Sequence, residues 1–106
     1  MWMSLDQSID IIKGIVNGLI SDPEIILFGS RAKGGFNNRS DYDLLIIVDH
    51  PLDRSTRLHY QALLRKHLAM KGILSDVIVQ SKSETEIKRN LPGHIVKSAL
   101  IEGKHI

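Results

Sequence analysis

Asp41 and Asp43 stand two residues apart in Ser40-Asp41-Tyr42-Asp43-Leu44, directly ahead of the apolar run Leu44 to Val48. The two-residue period of an extended chain points both carboxylates to one face. Two anions that close repel each other unless a cation sits between them. Paired hard oxygen ligands suit Mg²⁺, or Mn²⁺ in its place, with phosphate oxygens and water completing the shell. The pair sits where a buried strand emerges, a rigid place to mount a site.

A second group lies a short loop upstream. Gly29-Ser30 follows the isoleucine-rich run Glu24 to Phe28 directly. A glycine there lets the backbone approach a ligand, and the next N–H groups and the Ser30 hydroxyl can hold phosphate if a short helix opens at that point. Arg31, Lys33 and Arg39 lie in the same loop and could offset triphosphate charge. Phosphoryl transfer needs this set of parts: phosphate donors, a metal clamp and a positioned nucleophile. Two other phosphate motifs fail here. A P-loop would need its lysine at position 35, which is Gly35, and a dinucleotide fingerprint would need glycine where Arg31 stands.

Gly29-Ser30-Arg31, a loop, and then Ser40-Asp41-Tyr42-Asp43-Leu44 together resemble the signature of the DNA polymerase beta-type nucleotidyltransferase superfamily, and within it the minimal nucleotidyltransferase group. The resemblance covers the whole chain in length and element order. Lys33 replaces an arginine common in the motif, which keeps the charge. The resemblance implies transfer of a nucleoside monophosphate from an NTP, with ATP the expected donor, to a hydroxyl, releasing pyrophosphate. It assigns Gly29, Ser30 and Arg31 to the nucleotide, and Asp41 and Asp43 to two Mg²⁺ ions. It also calls for a third catalytic and metal-binding carboxylate on a later strand. Asp76, in Ser75-Asp76-Val77-Ile78-Val79, is the match, and a carboxylate sharing a strand face with Ile78 already asks for an explanation.

These residues need elements to hold them. Leu5, Ile9, Ile12, Val16 and Leu19 recur at helical spacing. Ser4 with Gln7 offers a capping box, and Ser21-Asp22-Pro23 a stop. Gly14 and Gly18 suggest close packing of that helix on the next layer. Strands are predicted over Glu24–Phe28, Tyr42–Val48 and Ser75–Val79, the second apolar enough to be covered on both faces. Between the last two, a helix capped by Asp53 or Ser55 runs to about Met70 and ends at Gly72. Ser83 with Glu86 suggests a capping box for a short helix. A final helix from His94 to about Glu102 buries Ile95, Val96, Ala99 and Leu100, with Gly103 as its stop. The expected fold is α/β (α+β): a small mixed three-stranded sheet covered by helices, nucleotidyltransferase-like, in one domain over residues 1–106.

Composition narrows the partners. Fourteen Lys plus Arg against twelve Asp plus Glu leave a formal charge of +2, too weak a bias to predict direct nucleic-acid or membrane binding. With no cysteine there is no disulfide framework or thiolate zinc site, and the five histidines show no shared ligand spacing. No signal-like segment opens the chain, so a cytoplasmic protein is expected. Trp2 and Phe36 are single exposed candidates, and Phe36 at the loop tip could touch a nucleobase or a partner. A site this bare supplies nucleotide and metals but not the acceptor. The resemblance implies a small all-helical HEPN-type partner, which the chain, as antitoxin, would modify by AMP transfer. Occlusion of that partner without catalysis is a second expectation, and a homodimer acting on a small molecule a third.

Overall fold

The computed structural model describes residues 5–33 and 41–106. The elements run α1 (Leu5–Leu19), β1 (Glu24–Phe28), α2 (Ser30–Lys33), β2 (Tyr42–Val48), α3 (Arg54–Met70), β3 (Ser75–Ser81), α4 (Lys82–Lys88), α5 (Ile95–Glu102) and β4 (Lys104–His105). The expected boundaries of β1 and β2 agree with this. The Ser4 cap, Trp2 and the loop holding Phe36 and Arg39 lie outside the described residues.

The sheet has four strands in the order β3-β2-β1-β4. β1 pairs antiparallel with both β2 and β4, while β2 and β3 are parallel. Parallel neighbours need a crossover, and α3 is that crossover. Strand alternation divides the apolar residues between two faces. Ile25, Leu27, Leu44, Ile46, Val48, Val77 and Val79 pack with Ile12, Val16 and Ile20 of α1 and Leu64 and Leu68 of α3. Ile26, Phe28, Leu45 and Ile47 face the other way, onto Val96 and Ala99 of α5. Leu44 to Val48 is therefore apolar throughout because β2 is central and covered twice. Each buried Val, Leu, Ile or Phe side chain among them contributes about 1.5–3 kcal/mol of transfer free energy.

Four local expectations change. The sheet gains β4, and just beyond it the Ile106 N–H donates to the Ile25 carbonyl at 3.0 Å. Two polar residues, Lys104 and His105, carry no strand pattern, and only the turn at Gly103 brings them to β1. The capping box of α4 is Ser81 with Glu84, not Ser83 with Glu86, because β3 runs two residues further than predicted. Both pairs satisfy the same three-residue spacing, so the strand's length decides between them. Ile95 is half exposed rather than buried, since α5 turns Val96 and Ala99 to the sheet. Gly14 and Gly18 face open space, where an added Cβ would meet nothing within 4 Å. The α3 cap is settled as Asp53, whose Oδ1 accepts from the Thr56 N–H at 2.7 Å.

Candidate active site

The site lies where β1 ends and β2 and β3 begin. In the parallel register of β2 and β3, Asp43 stands directly opposite Asp76. Across the antiparallel pair, Asp43 stands opposite Phe28, the last residue before Gly29. By alternation Asp43 shares a face with Leu45, and Asp76 with Ile78, the face that α5 covers further along. Asp41, one period before Asp43, is exposed, as is Asp76, while Asp43 is half-buried. Topology thus brings together the three carboxylates picked out in the sequence, 33 positions apart at Asp43 and Asp76.

The electrostatics follow from that register. Burial, then the negative charge of Asp76, then that of Asp41, push the Asp43 carboxyl above its ordinary range. The fold has gathered like charges around one half-buried acid, which is unfavourable without a counter-ion. The donor set is hard oxygen only, and that chemistry fits Mg²⁺ or Mn²⁺. As they stand, no group of three or more acidic, histidine or cysteine side chains among the described residues is close enough to hold one ion. Asp41 and Asp76 are exposed, and Asp43 is the half-buried member of the three.

Gly29 is shaped for this neighbour. Its φ is +71°, in the left-handed region, and an added Cβ would collide with the Asp43 carboxylate. The phosphate-loop candidate and the metal-site candidate are therefore in van der Waals contact through a missing side chain. Ser30 opens α2, the short helix expected there, and the Ala32 N–H donates to the Gly29 carbonyl at 3.2 Å.

Arg31 takes a position that its place in the motif does not disclose. It is 8% exposed, and its guanidinium carbon sits 4.2 Å from the centre of the Tyr42 ring. The Tyr42 hydroxyl in turn donates to Ser8 Oγ at 2.8 Å, inside the core between α1 and β2. Sequence reasoning did not single out Tyr42 or Ser8. One signal was available: Ser8 precedes Ile12 and Val16 at four-residue spacing, a hydroxyl on the buried stripe of α1.

A cleft of about 310 Å³ lies at the other end of the sheet, lined by residues that include Glu24, Ile47, Lys82, Arg89 and His105. It contains none of the candidate residues.

Comparison with known proteins defines the class. Residues 9–104 match the sequence profile of the family described as "Nucleotidyltransferase domain". A Methanocaldococcus jannaschii protein, provisionally named a protein adenylyltransferase, is 35% identical over 98 residues, spanning 88% of this chain and 91% of its own. A Haemophilus influenzae protein, provisionally named protein adenylyltransferase MntA, is 43% identical over 47 residues, 44% of this chain and 41% of its own. Among solved structures, a toxin–antitoxin crystal structure with AMP-PNP superposes with a TM-score of 0.58 at 22% identity, covering 91% of this chain and 69% of that one. The tri-AMPylated Shewanella oneidensis HEPN toxin in complex with MNT antitoxin gives 0.57 at 19% identity, covering 94% and 69%. At those identities the two structures establish a shared fold. The chain belongs to the nucleotidyltransferase domain family, and its enzymatic class is nucleotidyl transfer. Among the described residues no helix is long and apolar enough to cross a membrane.

Proposed function

We propose that the chain is a Mg²⁺-dependent protein adenylyltransferase that moves AMP from ATP onto a hydroxyl of a partner protein, and that it serves as the antitoxin to a HEPN-type helical toxin. The in-register placement of Asp43 and Asp76, with Gly29 against Asp43, carries this reading. It puts the Gly29 turn after β1, Asp43 of β2 and Asp76 of β3 side by side across the sheet, which supports a phosphate turn next to metal-binding acids. Relatives named as protein adenylyltransferases support the choice of substrate class, and a solved complex of an AMPylated HEPN toxin with MNT antitoxin supports the choice of partner.

In this reading Asp41 and Asp43, joined by Asp76, hold the ions, and Gly29 and Ser30 hold the triphosphate. Mg²⁺, when bound, supplies neutralisation of the phosphate charge. Asp76, exposed at the β3 end, takes the proton of the acceptor hydroxyl. The acceptor oxygen bonds to the α-phosphorus, the bond from that phosphorus to the bridging oxygen breaks, and pyrophosphate leaves. The test is incubation with Mg²⁺ and each labelled NTP, with and without the partner. Label from α-labelled ATP should appear on the partner protein, and absence of both transfer and Mg-ATP binding would sink the reading.

A second reading, occlusion of the partner without chemistry, draws on the spread of the three carboxylates, which share no preformed ion site as they stand. The double substitution Asp41→Asn/Asp43→Asn separates the two. If it still silences the partner while transferring no label, covering the partner is sufficient.

A further inference from the structure

We propose that Arg31, Tyr42 and Ser8 form a buried bracket that holds the Gly29 turn in fixed relation to the acidic pair, making Arg31 and Tyr42 positioning residues. The inference rests on the nucleotidyltransferase reading of the site, but its first test does not.

Tyr42 is the residue between Asp41 and Asp43, and alternation sends its side chain to the opposite face of the sheet. There it is 5% exposed and is gripped at both ends. Its ring carries the Arg31 guanidinium at 4.2 Å, and its hydroxyl donates to Ser8 Oγ at 2.8 Å. Ser8 is 1% exposed on α1. One side chain therefore ties three elements: α2, which continues the Gly29 turn; β2, which carries both acids; and α1, the long helix behind the sheet. A planar guanidinium over an aromatic face is favourable, the more so when both are desolvated. At 8% exposure the Arg31 guanidinium is buried over this ring. Its effect on phosphate then passes through the position of Gly29 and Ser30.

The bracket matters because α2 has only four residues. A single turn of helix has no stability of its own and must be held by tertiary contacts. Without Arg31 on Tyr42, the Gly29 turn and the Asp43 carboxylate beside it lose their common reference.

The first experiment is amide hydrogen exchange at Ala32, whose N–H closes the turn onto Gly29. In Arg31→Gln and Tyr42→Leu, exchange at Ala32 should rise by about tenfold while Leu64 and Leu68 in α3 stay unchanged. Tyr42→Phe keeps the ring under Arg31 but gives up the hydroxyl bond to Ser8 Oγ, so its Ala32 exchange should fall between wild type and the two loss variants. Ala32 exchange within about twofold of wild type in both loss variants overturns the bracket, and so does an equal rise throughout α3 and β3, which would mark a merely structural role. The second readout is Mg-ATP binding and turnover. The loss variants should need roughly tenfold more Mg²⁺ for half-saturation and show a lower kcat, with Tyr42→Phe between them and wild type. A wild-type protein that transfers no AMP would sink the proposed function and leave the exchange result to judge the bracket.

Discussion

The Asp43 carboxylate occupies the space that a side chain on Gly29 would need. Gly29 follows the end of β1 and Asp43 belongs to β2, so their contact ties the Gly29 turn to the acidic pair. Gly29→Ala therefore carries two penalties. A left-handed φ costs an L-residue about 1–2 kcal/mol, and the new methyl group displaces Asp43. The expected outcome is a Tm lower by roughly 5–15 °C and kcat/KM lower by at least about a hundredfold, read by calorimetry and labelled transfer. A variant with a lower Tm and full activity at a temperature where it is folded would refute the contact's functional role.

Asp43→Asn should part stability from function. Burial and two neighbouring carboxylates raise the Asp43 pKa in the folded chain. The folded state then holds its proton to higher pH than the unfolded state does. Ionised Asp43 weakens the metal-free fold at pH values above the raised pKa, and this penalty disappears as pH falls below the ordinary carboxyl range. At neutral pH without metal, Asp43→Asn should melt above wild type. It should also lose the stabilisation that Mg-ATP gives wild type and reduce transfer by about two to three orders of magnitude.

Glu84 shows the opposite sign. Burial alone would raise its carboxyl, but bonds from the Ser81 N–H and hydroxyl, with the Arg57 guanidinium, hold it below the ordinary range. Its contribution to stability is present above the unfolded pKa and lost as pH falls through the lowered folded value. Glu84→Gln should lower Tm at neutral pH, by an amount that shrinks in acid as wild type loses the same contribution. Because Glu84 joins α4 to α3 through Arg57, away from the carboxylates, kcat per folded molecule should hold. Melting curves from neutral pH down to about pH 3 check the slope.

Gly103 is the turn that delivers β4. A Cβ there would meet the Ala99 carbonyl and the Ile26 side chain. Gly103→Ala should cost about 1–3 kcal/mol by overpacking and release the Lys104 and His105 pairing with β1. Faster amide exchange at Ile106, whose N–H bonds Ile25, is the specific readout. Unchanged exchange there would show that the turn tolerates the methyl group.

The sequence by itself determined the chemistry and most of the elements. Asp41 and Asp43 on one face follow from the period of a strand, and the double covering of β2 follows from five apolar residues in a row. Gly29 announces a turn because no other residue takes its φ at so little cost. These properties are local, so a linear pattern carries them. Tertiary structure decided what depends on which segments meet. The parallel pairing of β2 with β3 set Asp76 opposite Asp43, adding its charge to the burial that already raises the Asp43 pKa. The extra length of β3 moved the helix cap to Ser81, and the turn at Gly103 made a strand from two polar residues. Packing also turned Arg31 onto Tyr42 instead of leaving it in the loop. A guanidinium is as ready to stack on a ring as to meet a phosphate, and only the fold places the ring beneath it.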